Sequence, residues 1–312
     1  MKVFLTGATG FLMGAVARQL VKRGDAVVAL VREPRRAGAL ADLGCELVTG
    51  DLSDEPAIRR GLAGADAAVH GAAIYEIGIP RSRRAAMFDA NVRGAERVLS
   101  SALETGTPRV IHVSTIAVFG NTRGAVVDES YQRSGPYTSY YEETKYRAHE
   151  IALRLIERGL PCAIVQPGQL YGPGDHSSVG GVMRAAAAGR LPGVAFGSLG
   201  LDFVHVDDVA AGIVLALDRG RPGESYVLGG EITTLRGMID VVSRLHGRRA
   251  PRLEVPAPLL RFAALLVPSF AEVVRSGEGV TFWAKDDKAR RELAYAPRGL
   301  ERGLRDTFGL SA

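Results

Sequence analysis

The segment LTGATGFLMG, residues 5–14, decides how the rest of this chain is read. It closes the apolar run KVFLTG (2–7) and leads into AVARQLVKRG, whose apolar spacing predicts a helix ending at Gly24. A strand that passes through glycines into a helix N-terminus turns backbone N–H groups toward an approaching anion. Glycine allows the close approach and the positive φ such a turn needs. The G-x-x-G-x-x-G spacing of a dinucleotide loop is met by Gly7 and Gly10, but Met13 stands at the third glycine and Gly14 falls one place late. That third glycine normally permits close packing of helix on strand. Met13 is therefore expected to fill a crowded position with a flexible side chain, and Gly14 to ease the crowding. A strand–helix turn without a ligand is the other reading of the loop taken alone.

The first two-thirds of the chain repeats this strand–helix alternation. Further strands are expected at AVVALV (26–31), CELVTG (45–50), AAVHGA (67–72), RVIHVST (109–115) and CAIVQP (162–167), with a helix over NVRGAERVLSSALETG ending at Gly106. Continuous apolar strands buried on both faces imply an α/β, doubly wound parallel sheet, whose sites lie at the carboxyl ends of the strands. After residue 166 the alternation fades into glycine-rich loops, a strand-like DFVHV (202–206), a helix in DDVAAGIVLALDRG and further helices after 233. The expected division is a dinucleotide-binding domain of residues 1–165 plus about 202–232, and a smaller C-terminal substrate-binding lobe of 166–201 and 233–312.

Composition excludes several classes. The chain has 312 residues, 46% apolar and 23% charged, with a formal charge of +5, which is ordinary for a soluble globular protein. Arginine clusters such as Arg32, Arg35 and Arg36 lack interleaved aromatics, so no nucleic-acid partner is expected. Cys45 and Cys162 have no metal-ligand or redox spacing and read as buried thiols; no metal is expected. The sequence opens directly on KVFLTG, and APLLRFAALLVPSF is too short to span a bilayer, so no membrane partner and a cytoplasmic location are expected.

Chemistry concentrates at three strand ends. Arg32 follows the second strand, where an arginine accommodates the 2′-phosphate of NADP and an acid binds the ribose hydroxyls of NAD; Glu33 beside it keeps NAD possible. Asp51 and Leu52 follow the third strand, placed to border an adenine, although a structural turn explains GDLSD as well. In YYEETK, Tyr141 and Lys145 lie four apart on one helix face. A phenol titrates near pH 10, so work near neutrality needs a shift of roughly three units, about 4 kcal/mol, which a neighbouring ammonium supplies. Alone, the pair is common, and an ordinary surface helix with an amphipathic tyrosine is the better reading. It gains weight from VSTIAVFG, which leaves the fifth strand with Ser114 and Thr115, hydroxyls able to bond a substrate carbonyl oxygen.

With these in place, TGATGFL, GDL, NVRG, STIAVFG, Tyr141-x-x-x-Lys145, QPGQLYGPGD, DFVHVDDVA and DDKARRELAYAP resemble, in order and over nearly the whole chain, the extended short-chain dehydrogenase/reductases. This is the NAD-dependent epimerase/dehydratase family. The resemblance implies that Tyr141 is the general acid/base, that Lys145 lowers its pKa and holds the nicotinamide ribose, and that Thr115 polarises the carbonyl. Asn91 would support the active-site backbone. It further implies cofactor contacts from Gly7, Thr9, Gly10, Phe11, Leu12, Arg32, Asp51, Leu52, Gly71, Ala72, Ala73, Pro167, Gly168 and Leu170. Ile74, Tyr75, Tyr137 and Gln169 would line the substrate, and His70 reads as structural. Members commonly dimerise through the Tyr/Lys helix and the helix before it, here about 138–158 and 89–105, so a homodimer is expected. Nucleotide-sugar members usually carry an arginine before the DF pair, where this chain has Leu201, and often an asparagine where it has Gly168 and Gln169. Loss of a charge-assisted clamp weakens a diphosphate. The pattern is closer to the dihydroflavonol-reductase-like branch.

The expected activity is thus NADP(H)-dependent reduction of a ketone or aldehyde of a small organic substrate. An NAD-dependent nucleotide-sugar epimerase or dehydratase is the alternative, and a non-catalytic NADP-sensing protein the third reading.

Overall fold

Phe4 and its neighbours Val3 and Leu5 are all buried, which a strand with one face in water cannot achieve. In the computed structural model, which describes residues 1–311, β1 (Lys2–Thr6) accordingly lies in the middle of a parallel sheet. The chain continues through α1 (Phe11–Arg23), β2 (Ala26–Val31), α2 (Gly38–Asp42), β3 (Glu46–Thr49), α3 (Glu55–Leu62), β4 (Ala67–His70), α4 (Arg81–Phe88), α5 (Gly94–Glu104), β5 (Val110–Val113), α6 (Tyr140–Glu157) and β6 (Cys162–Pro167). Then follow β7 (Gln169–Tyr171), α7 (Ser178–Ala187), β8 (Gly200–His205), α8 (Val206–Arg219), β9 (Ser225–Leu228), β10 (Glu231–Thr234), α9 (Leu235–Leu245), α10 (Ala257–Leu266), α11 (Pro268–Gly277), α12 (Asp287–Leu293) and α13 (Leu300–Phe308).

The main sheet has the order β3-β2-β1-β4-β5-β6-β9, with every pairing parallel. This is the Rossmann-like doubly wound arrangement, covered on both faces. Val3 and Leu5 belong to one core layer with Leu20 of α1 and Ile213 of α8. Phe4 belongs to the opposite layer, with Ile58 of α3, Leu99 of α5 and Ile151 of α6. Strand order reverses between β1 and β4, the crevice at which such sheets bind ligands.

A second, three-stranded sheet, β10-β8-β7, packs with α7, α9 and α13 around its own apolar cluster. Here the structure revises the expected boundaries. All of DFVHV but Val206, which opens α8, lies in β8, which pairs parallel with β7 and antiparallel with β10, so it belongs to the small sheet. The chain returns to the main layers only with α8 and β9. The physical reason is that β8 is fully buried on both faces, as a main-sheet strand would be. Its apolar run alone does not say which sheet it joins.

Two helix ends fall where the glycines predict. Gly24 caps α1 in the left-handed conformation at φ 91°, its N–H bonded to Leu20 O and Val21 O. The helix expected over NVRG does not begin as a regular α-helix. Asp89–Arg93 forms a π-helical turn, which continues into α5 and bulges the backbone at Asn91.

Candidate active site

Geometry builds this site from the β1 loop outward. Gly7 has φ +81°, and a Cβ there would stand 2.9 Å from Ala72 N and Cα, so only glycine fits. Gly10 donates to Gly7 O at 2.8 Å and is the N-cap of α1, with no side chain covering the first turn. The first-turn N–H groups of α1 therefore have no side-chain partner. Thr6 Oγ1 accepts from Gly71 N and Ala72 N, both at 3.3 Å, and pairs with His70 Nδ1 at 2.8 Å, which fixes the β4 loop beside the glycine turn. His70 thus has a structural contact of the kind expected, and burial beside Lys145 lowers it to about 3.

Met13 is 2% exposed, and its neighbour is Gly71. A Cβ on Gly71 would lie 2.4 Å from Met13 Sδ and 2.6 Å from Cγ. The crowding expected of Met13 is accommodated at Gly71, not at Gly14, where an added Cβ would meet Ala8 O at 3.2 Å instead. Phe11, Leu12 and Leu170 are half-buried against the core layer of α1. Thr9 and Ala73 are exposed beside the cradle. Gly168 crosses so close to Asp202 O that a Cβ would stand 2.4 Å from it, just after Pro167 ends β6.

Arg32 is exposed at the carboxyl end of β2. Asp51 has a turn role: its Oδ1 accepts from Ser53 N at 2.7 Å and from Ser53 Oγ at 2.6 Å. Those bonds, with the Asp54 backbone and the nearby Arg32, hold its carboxyl below the usual range against the cost of burial. Leu52 packs against Gly94, where a Cβ would meet its Cδ1 at 2.7 Å.

The chemistry-bearing side chains meet at the ends of β5 and α6. Ser139 caps α6 by accepting from Glu142 N at 3.1 Å. Glu142, itself buried, accepts from Thr138 N and Oγ1 and pairs with Arg133. This anchored first turn presents Tyr141 beside Thr115. Burial pushes the Tyr141 phenol well above its usual value, the nearby Tyr75 adds to this, and the Thr115 hydroxyl opposes it. Thr115 also accepts from Ala117 N at 3.2 Å as the cap of a short 3-10 turn.

One turn on, Lys145 is 6% exposed and donates from Nζ to Val113 O at 2.9 Å. Burial lowers its ammonium to about 8. Burial dominates at Tyr141, and the Lys145 ammonium is directed at a backbone carbonyl. Ser114 does not face the Thr115 side; its Oγ pairs with His149 Nδ1 at 3.0 Å.

Asn91, in the π-turn, makes a two-sided clasp. Its Oδ1 accepts from Ile74 N at 2.7 Å, while Nδ2 donates to Ile74 O and to Thr144 Oγ1, each at 3.0 Å. Thr144 Oγ1 in turn donates to Tyr141 O at 2.9 Å. The ring of Tyr75, next to Ile74, stands edge-on to Tyr141 with centroids 4.8 Å apart. Ile74, Tyr75 and Tyr141 are therefore held in one group. Tyr137 is engaged elsewhere: Arg133 stacks 4.1 Å from its ring centroid and Tyr146 lies 5.9 Å away. Gln169 turns back on Leu170 O at 3.1 Å.

Sequence reasoning missed Thr6 and Glu272 of α11. Thr6 carried a readable signal, as a hydroxyl closing an apolar strand. Glu272 carried none, because the backbone N–H groups it holds belong to Gly78 and Tyr140, far away in the chain.

Among known proteins, residues 3–229 match the model of the NAD dependent epimerase/dehydratase family. Sterol demethylase protein B of Methylococcus capsulatus is 34% identical over 270 residues, covering 85% of this chain and 81% of that protein. A 4-hydroxy-2-methyl-3-oxo-4-farnesyl-3,4-dihydroquinoline-1-oxide ketoreductase of Stigmatella aurantiaca is 32% identical, covering 96% and 92%. Among solved structures, a double mutant of the dTDP-glucose 4,6-dehydratase DesIV from Streptomyces venezuelae, with NAD bound, superposes with a TM-score of 0.81 at 26% identity, covering 98% and 95%. The cradle at Gly7, the sheet order and the relatives agree. The chain belongs to the NAD-dependent epimerase/dehydratase family and is an NAD(P)-dependent enzyme of the extended short-chain dehydrogenase/reductase type.

Proposed function

We propose that this enzyme reduces a ketone or aldehyde of a small organic substrate with NADP(H). The observation that carries the reading is the Tyr141 phenol, held in one group with Ile74 and Tyr75 by the Asn91 clasp beside Thr115 and kept protonated by burial. A reductase needs a proton donor at the carbonyl oxygen, and a phenol raised above its usual value stays a donor across neutral pH. The residues present fit a dinucleotide, since the Gly7 cradle leaves the α1 N-terminus open and tolerates no Cβ. Once bound, the nicotinamide supplies the hydride.

The chain's own groups supply the rest. Tyr141 donates its proton to the substrate oxygen, while the Thr115 hydroxyl hydrogen-bonds the same oxygen as charge develops there. Lys145 carries a positive charge one turn from Tyr141 and favours the phenolate left behind. Asn91 holds the Ile74 backbone and, through Thr144, the Tyr141 backbone. Arg32 selects the 2′-phosphate, with Gly7, Gly10 and Gly71–Ala73 along the cofactor. Tyr75 and Ile74 border the substrate, and the small sheet with its helices serves as the substrate lobe. We place the protein in the cytoplasm as a homodimer joined through α5 and α6, where Leu153 is exposed. Among the described residues, no helix is long and apolar enough to cross a membrane.

The ketoreductase relative supports this reading, as does Leu201, which is buried in β8 and offers no charge to a diphosphate. The DesIV likeness favours the alternative, a nucleotide-sugar dehydratase or epimerase. A carbonyl panel assayed with NADPH and with NADH decides between them. Net NADPH oxidation, abolished by at least a hundredfold in Tyr141→Phe, is the expected result. Purified protein that retains NAD and gives no net turnover with any carbonyl would favour the alternative.

A further inference from the structure

Glu272 is 2% exposed, yet it takes no part in the chemistry proposed above. It projects from α11, in the C-terminal part of the chain. Its Oε1 accepts two backbone N–H bonds from separate segments, Gly78 N at 3.2 Å and Tyr140 N at 3.0 Å. Its Oε2 accepts from Arg84 Nη2 of α4 at 2.8 Å. Arg84 in turn stacks on the Tyr140 ring, 4.9 Å from its centroid. A burial this complete would be costly for an unpaired carboxylate, and here the charge has an ion pair and two backbone donors. Tyr140 opens α6, so the carboxylate also lies at the positive end of that helix.

The two segments tied to Oε1 are the ones that bear the aromatic pair at the candidate site. Gly78 ends the stretch that begins at Ile74, and Asn91 already holds Ile74 from the other side. Tyr75 lies between these two fixed points. Tyr140 immediately precedes Tyr141. The approach of the loop to α11 is close enough to demand glycine: a Cβ at Gly78 would stand 2.7 Å from Ser269 O and 2.9 Å from Val273 Cγ2. A second tie, Ser276 Oγ to Thr138 O at 3.1 Å, joins α11 to the segment leading into α6.

We infer that Glu272 is a positioning residue: one carboxylate oxygen, bonded to Gly78 N and Tyr140 N, sets the ring of Tyr75 against the proton donor Tyr141. This rests on the reading of Tyr141 given above. Through Glu272 the C-terminal helices reach the catalytic helix without touching substrate. The effect depends on an acceptor at Oε1. Glutamine keeps that acceptor, and alanine removes it.

The test uses full-length protein with Glu272→Ala and Glu272→Gln, each checked for a native circular-dichroism spectrum. Hydrogen–deuterium exchange needs no substrate. Glu272→Ala should raise exchange at least tenfold in 74–80 and 138–144 together, while Glu272→Gln stays within threefold of wild type. With the carbonyl compound that turns over in the panel assay, Glu272→Ala should lower kcat tenfold or more and leave KM for NADPH within twofold. Glu272→Gln should restore kcat to within threefold of wild type.

A folded Glu272→Ala with unchanged exchange in both segments overturns the inference. So does a loss in Glu272→Gln equal to that in Glu272→Ala, which would point to the Arg84 ion pair instead. If Glu272→Ala does not fold, the Glu272→Gln exchange and kcat decide alone, and a tenfold change in either overturns it. Tyr141→Phe separates the two levels. Full activity in Tyr141→Phe removes the reading of Tyr141. Loss of activity there, with kcat intact in Glu272→Ala, removes only the role of Glu272.

Discussion

Met13 and Gly71 divide one volume between them. Position 13 is buried against the β4 loop, and the methionine is housed because position 71, on that loop, has no side chain. Gly71→Ala would bring its Cβ against Met13 Sδ and Cγ and force the thioether to move, an overpacking that costs about 1–3 kcal/mol. Met13→Gly in the wild-type background would leave a void, costing about 2–5 kcal/mol. The double variant Met13→Gly/Gly71→Ala should recover more than 1 kcal/mol relative to the sum of the single changes, because the two sites share one space. Urea melts of the four proteins measure this coupling, and additive costs would show that the two side chains do not share that volume. Because Gly71 is bonded to Thr6 beside the glycine turn, the NADPH dissociation constant should follow the same pattern.

At the scale of elements, β8 shows both what an apolar pattern conveys and what it omits. Strands β1 to β6 are readable because each is buried on two faces or flanked by clear helices, and Thr115, Tyr141 and Lys145 are readable because strand ends and a four-residue spacing fix where they point. Strands β7 and β10 are mostly half-buried, so neither shows a fully buried apolar run like that of β4 or β5. The π-turn at Asn91 and the bonds of Glu272 depend on partners distant in sequence. In β8 the sequence marks a strand, but only the structure shows that Asp202 sits between the two sheets. It is 1% exposed, accepts from Gly230 N at 2.7 Å, and lies where a Cβ on Gly229 would come within 2.3 Å of its Oδ2.

Burial raises the Asp202 carboxyl to about 7, against the Gly230 bond; Asp286 adds to the rise and Arg290 opposes it. The native state thus keeps the proton to higher pH than the unfolded chain does. The contribution of Asp202 to stability is full below the unfolded carboxylate pKa of about 4 and is lost as pH rises through 7. Asp202→Asn keeps an acceptor for Gly230 N and has no charge to bury. Between pH 5 and pH 8 its stability should gain on wild type by about 3 kcal/mol, read from urea melts at the two pH values. A difference that is the same at both would show that Asp202 is charged in the native state at pH 5.

For the whole molecule, the last consequence is that cofactor choice is readable as global stability. A ligand that binds only the folded state stabilises the entire chain by RT ln(1 + [L]/Kd), about 2.7 kcal/mol at a hundred times Kd. Arg32 stands exposed at the end of β2, far from α6 in sequence, with Asp51 close enough for its carboxyl to respond to the guanidinium. A 2′-phosphate placed there gains a charge-assisted, bidentate partner, whereas the 2′-hydroxyl of NAD gains little from an arginine. At equal concentration NADPH should therefore raise the melting temperature more than NADH does. Arg32→Asp should invert that order, because the acid repels the phosphate and accepts from the ribose hydroxyls. The free protein should change little, since Arg32 is on the surface. Equal shifts from both cofactors in the wild type would remove Arg32 as the selector and move the choice to Glu33 and the Asp51 turn. Because melting reports binding without turnover, that result would stand whatever substrate the enzyme takes.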